Sequence, residues 1–342
     1  MINDFPVGDC LHLIDLGIMK KCLTGWRNGP LGGYKTKWCA RDISEISKLL
    51  IQTKLPGELH RAVRGLDCLA FWKGLEYHHF LHYFGIVILK GFLPIDAYAH
   101  FLILFCAITI CSSKVYSKFY DLAESLLEHY IEVFCEIYGV DFITSNIHNL
   151  THLVDEVKEF GILTSFSAYP FESKLYQIKN LVRSRNTLLA QVARRLNEQT
   201  QIVNDVAINK QKPNSIFKKR LNNVLFADSD SFTKIDLEFF SINIKNCADK
   251  WILTNNDDVI AVKHILRNRK TNLISYYGSS LKYLTDFFEI PIKSSYLNIY
   301  CSNCEMNPAK IYGLEEIKCK LVKVSYKEKL NVFIPLLHTL HD

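Results

Sequence analysis

The sequence predicts an α+β protein, predominantly helical over its N-terminal two-thirds and ending in a small β-rich domain. Apolar residues recur at helical spacing up to about residue 208, and beyond about residue 210 they give way to short alternating runs. Between these patterns the stretch 209–235 is polar and basic, the composition of a linker. The expected division is 1–208, a linker at 209–235, and a β-rich domain at 236–342.

In chain order, Gly25, Gly29, Pro30, Gly32 and Gly33 stand among polar residues, so 24–43 reads as a long loop between a first helix and the bundle. A helix is expected from about Asp67, with Cys68, Phe71, Trp72, Leu75, His79 and His82 on one stripe. The run His100 to Cys111 is apolar on all sides and too short to span a bilayer, so it belongs at the centre of a bundle. Phe119, Ala123, Leu126, Leu127, Tyr130, Phe134 and Tyr138 follow three- and four-residue steps up to Gly139, a natural C-terminal cap. Another helix runs from about Ser145 to Phe160 and stops at Gly161. Further on, Trp251 to Thr254 and Val259 to Val262 flank Asn255-Asn256-Asp257-Asp258, which signals a hairpin. Ile317, Cys319 and Leu321 alternate with lysines as a strand does.

At 342 residues the chain can bury a sizeable core and has the length of about two domains. Its formal charge of +6 is unevenly placed: from Ser173 to Arg220 there are eleven Lys and Arg against two acids, a surplus that attracts phosphates or forms a solvated helical face. Eleven cysteines, with neither a basic nor an apolar leader segment in MINDFPVGD, point to reduced thiols in a nuclear or cytoplasmic protein that is not secreted. There is no phosphate-cradling glycine loop, no G-x-S-x-G elbow and no zinc-deaminase signature, which argues against several enzyme classes.

Four blocks carry a more specific signal. They are Asp9-Cys10-Leu11-His12-Leu13-Ile14-Asp15-Leu16-Gly17; Leu66 to Tyr83 with Gly85 to Gly91; Asn146-Ile147-His148-Asn149-Leu150-Thr151-His152-Leu153; and Ser165 to Glu172, ending Tyr169-Pro170-Phe171-Glu172. In this order they resemble the closing part of the CACTA (En/Spm-like) DDE-type transposases: the D-x-x-H element, the helical insertion, the N-x-H-x-L-x-H-L block and the terminal Glu. The resemblance covers roughly residues 1–200. It implies part of an RNase H-like catalytic domain, with Glu172 as one carboxylate of a three-acid Mg²⁺ site for DNA strand cleavage and transfer. It also implies DNA phosphate contacts by Lys179, Arg183, Arg185, Arg194 and Arg195, and a role for Asp9 and His12 beside the catalytic core. His12 would orient a carboxylate or contact the scissile strand.

The family's other two acids precede the D-x-x-H element, and only eight residues precede Asp9 here. The expectation is therefore a chain inactive by itself, with Glu172 a vestigial catalytic residue. It would be a truncated gene product or the remainder of a longer transposase, whose partners are DNA and, as an option, further copies of itself.

The residues alone leave other readings open. Asp9 also reads as a helix N-cap and His12 as a satisfied buried histidine. Glu172 also reads as a carboxylate complementing the dipole of an amphipathic helix, with Pro170 in the first turn and Phe171, Leu175, Ile178 and Val182 as its apolar stripe. Three constellations raise the question of zinc: His148 with His152, Cys68 with His79 and His82, and Cys301-x-x-Cys304 with His338-x-x-His341. Alternative functions are a non-catalytic nucleic-acid or chromatin-binding module and a helical protein-interaction scaffold.

Overall fold

The structure, a computed structural model, describes residues 6–29, 31, 35–183, 187–207, 216–221, 226, 228–327 and 329–340. The chain forms two compact units, one made of 1–166 with 215–342 and the other of 167–214.

The first unit is built around the helix Ile95–Cys111, in which fourteen of seventeen residues are buried. That burial on every side is what its unbroken apolar run requires. The helix Tyr120–Tyr138 packs its stripe of Ala123, Leu127, Tyr130, Phe134 and Tyr138 into the same core and ends at Gly139, whose φ of 96° only glycine adopts without strain. Its partner histidine on the central helix, His100, lies parallel to the Tyr130 ring at 4.0 Å and hydrogen-bonds the Tyr130 carbonyl at 2.8 Å.

Three helical expectations need correction. The stretch 24–43 is not one long loop: a helix Lys20–Asn28 continues through Gly25, and the next begins at Ala40. Gly25 is a close-packing residue, since a Cβ there would lie 2.4 Å from Leu31 Cβ, while Gly29 caps the helix at φ 89°. The helix expected from Asp67 is a series of short pieces, Leu66–Phe71, Gly74–His79, Phe80–Phe84 and Gly85–Ile88. Extended backbone at Trp72 and Lys73 interrupts it, and Phe71, expected on the buried stripe, is exposed. The helix of 145–160 has the expected ends but contains a tighter turn at Asn149–His152.

Ten strands are described: β1 (Ile216–Leu221), β2 (Ser229–Asp236), β3 (Ser241–Asn243), β4 (Trp251–Thr254), β5 (Val259–Asn268), β6 (Ile274–Ser280), β7 (Tyr300–Ser302), β8 (Lys310–Gly313), β9 (Ile317–Lys327) and β10 (Leu330–Pro335). All pair antiparallel in the order β1-β2-β5-β4-β9-β10-β7, with β3 on β2 and with β6 joining β5 to β8. The hairpin across Asn255 to Asp258 is β4–β5, pairing Leu253 with Val259 and Trp251 with Ala261.

Two further expectations fail here. β1 and all but the last residue of β2 lie in 209–235, so that stretch is not simply a linker. Nor is the sheet a separate domain, because its inner face shares one hydrophobic core with the helices. Val259 and Ala261 of β5 point into that core, while Ile260 and Val262 point into a second, smaller one on the other face. Rings and hydrogen bonds stitch the shared core: Phe105 meets Phe288 edge-on at 6.1 Å, and the Tyr116 hydroxyl donates to the Leu297 carbonyl at 2.8 Å. Lys320 of β9 is fully buried, its ammonium 2.7 Å from both Glu58 Oε2 and Asp249 Oδ1. Glu58 lies between the helices Ala40–Gln52 and Leu66–Phe71 and Asp249 leads into β4, so one buried cation ties the two layers together.

The second unit holds the helices Tyr169–Leu181 and Leu188–Ala207. Pro170 occupies the first turn of the former, where its missing N–H leaves nothing unsatisfied. No residue of that helix is buried; of the expected apolar stripe, Phe171 and Leu175 are 70% and 59% exposed while Ile178 and Val182 are half-buried. Among the described residues, no helix is long and apolar enough to cross a membrane.

Candidate functional site

The D-x-x-H block opens a helix that begins with a π-wound stretch, Cys10–Met19. Asp9 is its N-cap, accepting from the Leu11 N–H at 3.3 Å and the His12 N–H at 2.9 Å. Such a cap is worth about 1 kcal/mol. Its Oδ2 also meets His12 Nδ1 at 2.5 Å, so Asp9 and His12 form a linked pair. The N-cap reading of Asp9 holds; the buried-histidine reading of His12 does not, because its side chain is 56% exposed.

Around this pair, two of the sequence blocks interlock. Glu156, just after the N-x-H-x-L block, accepts the backbone N–H groups of Val7 and Gly8 at 2.7 and 2.6 Å. Gly17, which closes the first block, sits so near Asn146, which opens the other, that a Cβ would lie 2.6 Å from Asn146 Nδ2. Glycine is needed for that approach.

One turn inside the same helix lies a cluster that sequence reasoning missed. Asp15 is fully buried, and its Oδ2 is 3.6 Å from Cys10 Sγ and 3.3 Å from His78 Nδ1; Cys10 Sγ is 3.8 Å from that nitrogen. Burial, reinforced by the Asp15 carboxylate, pushes the Cys10 thiol well above its ordinary range. His82, one turn beyond His78, has its ring 4.4 Å from the His78 ring, and burial holds it well below the usual imidazole range. Cys10 and His78 also line a cavity of about 490 Å³ whose walls include Ser113, Lys114, Thr164 and His338. Cys10 and Asp15 are five residues apart, a spacing that no helical-wheel reading places on one face.

Glu172 and the basic residues belong to the second unit. Glu172 is exposed in the first turn of Tyr169–Leu181, its N–H donating to the Ala168 carbonyl at 2.9 Å. Lys179, Arg183 and Arg194 are exposed and Arg195 is half-buried; Arg185 lies outside the described residues. Arg194 Nε pairs with Glu198 at 3.2 Å, and the Arg183 N–H donates to Gln191 Oε1 at 3.1 Å.

Mg²⁺ is expected only as the ancestral ion of Glu172, not as one this chain holds productively. Mg²⁺ takes octahedral oxygen ligands, and among the described residues the one group of three or more converging ligand side chains is Cys10, Asp15 and His78. The sequence-based zinc candidates fare no better. His148 and His152 are exposed, and His79 Nδ1 is 2.9 Å from the Arg61 carbonyl. Cys304 Sγ accepts from Asn331 Nδ2 at 3.3 Å, Cys301 is buried, and His341 lies outside the described residues.

The comparisons with known proteins reach only the sheet region. A family described as a domain of unknown function (DUF8592) matches residues 200–336, from the end of the helix Leu188–Ala207 through β10. No curated protein matches the chain. No solved structure matches it either.

Proposed function

We propose that this chain descends from a CACTA-class transposase and acts, as these 342 residues, as a DNA-binding protein that does not cut DNA. The observation that carries the binding reading is exposure in the second unit, where the cations Lys179, Arg183 and Arg194 and the rings of Phe171 and Tyr176 are all open to solvent. Cations give phosphate affinity, and exposed rings stack on bases in the manner of single-strand binders. The interlock of the D-x-x-H and N-x-H-x-L blocks supports the ancestry, because elements that resemble one family in order are also in contact. On this reading residues 6–207, whose described elements are all helical, correspond to the insertion and closing helix of an RNase H-like domain. Two-metal strand cleavage needs several carboxylates converging on one site, and among the described residues Glu172 belongs to no group of three or more converging ligand side chains, which supports the non-cutting reading.

The test is DNA binding across a salt series. Each phosphate contact contributes about −0.9 to the slope of log K against log salt on duplex DNA. Neutralising Lys179, Arg183, Arg194 and Arg195 together should lower the slope markedly, and Glu172→Gln should leave it unchanged. Salt-independent retention, or none, sinks the binding reading in favour of a protein-interaction scaffold. Mg²⁺-dependent nicking that Glu172→Gln abolishes sinks the non-cutting one.

A further inference from the structure

We infer that Cys10, Asp15 and His78 form a binding site for a tetrahedral transition-metal ion, Zn²⁺ by the chemistry of its ligands, in the first unit. The inference is independent of the DNA-binding proposal and shares no residue with it.

The distances carry the argument. With Zn–S about 2.3 Å, Zn–N about 2.0–2.1 Å and Zn–O about 2.0–2.2 Å, tetrahedral angles set ligand–ligand edges of about 3.6 Å for S–N, about 3.5 Å for S–O and about 3.3 Å for N–O. The corresponding separations are 3.8, 3.6 and 3.3 Å. All three atoms therefore lie close to where one ion would hold them. Thiolate, imidazole and carboxylate together suit zinc rather than magnesium or calcium, which take oxygen.

The backbone is wound to make this triangle. In an α-helix five residues turn through about 500°, which leaves two side chains about 140° apart. Across Cys10–Met19 the winding is π, so Cys10 and Asp15 fall on one side. The facing segment is π-wound too, at Phe80–Phe84 immediately after the turn that carries His78. π-Turns are rare and recur at functional sites.

A hydrogen-bonded catalytic relay does not account for the same atoms. His78 presents Nδ1 to both Cys10 and Asp15, whereas a base that takes a proton from a thiol and is held by a carboxylate uses its two nitrogens separately. The charges also match a dication: Asp15 is wholly buried, and Cys10 becomes a second anion when the ion displaces its thiol proton to solvent, forming S–Zn in place of S–H. Beside the ligands, neither nitrogen of the buried His82 has a hydrogen-bond partner, an orphaned polar group of the kind that marks ligand sites. Because Cys10 and His78 line the cavity, the fourth position is open to a solvent or solute ligand from that side.

The full chain, stripped of metal and titrated with Co²⁺, tests this by its visible ligand-field bands and its thiolate-to-cobalt charge-transfer band, with bound Zn²⁺ counted in parallel by elemental analysis. One ion per chain and a tetrahedral, thiolate-containing spectrum are expected. Cys10→Ser should abolish the charge-transfer band. His78→Gln, at a side chain only partly buried, should weaken binding more than about 100-fold, beyond the 10–100-fold typical of losing an outer partner. Cys301→Ser with Cys304→Ser should change neither signal. A wild-type chain without the bands, bands that persist in Cys10→Ser or in a folded His78→Gln, or bands lost only in the Cys301/Cys304 variant each overturn the inference. Far-ultraviolet circular dichroism of each variant separates loss of ligand from loss of fold.

Discussion

The two units treat polar groups in opposite ways. The 1–166 plus 215–342 unit encloses them: Lys320, Glu76, Asp15, His79, His82 and His100 are all buried. The 167–214 unit leaves its cations and much of its apolar surface in water. A buried charge must be matched at a fixed distance by its neighbours, so the first unit is specified by its interior. An exposed charge is matched largely by water and salt, so the charges of the second unit do little to specify its fold.

The contrast is sharpest in acid. Burial holds His79 and His100 at about 4 and His82 well below its ordinary 6.5. The unfolded chain takes up protons at 6.5 while the folded one stays neutral. Stability is therefore full above pH 6.5 and falls as the pH drops toward 4, by about 1.4 kcal/mol per pH unit for each histidine. Three of them make roughly 4 kcal/mol per pH unit, read as urea midpoints at pH 7, 6 and 5. His82→Phe should flatten that slope by about one third, because the lost imidazole makes no hydrogen bond. The second unit contains no histidine and contributes nothing to it. A slope unaffected by His82→Phe breaks the account of the interior.

Next in size is the buried cation. Lys320→Met removes the buried countercharge of Glu58 and Asp249 and leaves two carboxylates facing each other, a loss of about 3–5 kcal/mol in urea unfolding. Glu198→Gln in the second unit breaks the exposed pair with Arg194 and should not move the midpoint. Equal effects from the two substitutions would erase the distinction between the units.

What the sequence revealed follows the same division. The central helix Ile95–Cys111 and the β4–β5 hairpin were legible because burial on all sides and a polar turn between apolar runs are written in residue type. β2 was not: its inward positions are Ser231, Thr233 and Ile235, so two of three buried side chains are hydroxyls and the alternation does not register as hydrophobic. β1, whose sequence is IFKKRL, reads as basic linker until a partner strand pairs with it. The site was half legible. Asp9 and His12 were found as a motif and are a pair, but Cys10 and Asp15 of the same block converge only because of π winding, and His78 arrives from a distant segment.

The junction of the two family-like blocks supplies a smaller effect. Gly17→Ala places a methyl 2.6 Å from Asn146 Nδ2 and 2.7 Å from the His12 carbonyl, and forcing room for it should cost about 1–3 kcal/mol. Adding Asn146→Ala relieves the first clash and leaves the second, so the pair should recover part of the loss. Full recovery would mean that the helix backbone does not resist, and that only the contact between blocks demands glycine there.

The smallest expected change is the most discriminating for the second unit. Phe171→Ser and Leu175→Ser remove large apolar side chains that are 70% and 59% exposed, so the folded state loses little burial and the urea midpoint should stay where it is. Core substitutions of comparable size cost roughly 2–5 kcal/mol. A midpoint that falls by such an amount would show that this face is covered in the isolated chain, and the exposed cations beside it would lose their standing as a surface open to DNA. An unchanged midpoint combined with weaker DNA binding in Phe171→Ser but not in Leu175→Ser would assign the Phe171 ring to stacking on bases, since stacking is worth about 1–3 kcal/mol per base and needs no contribution from the fold's own stability.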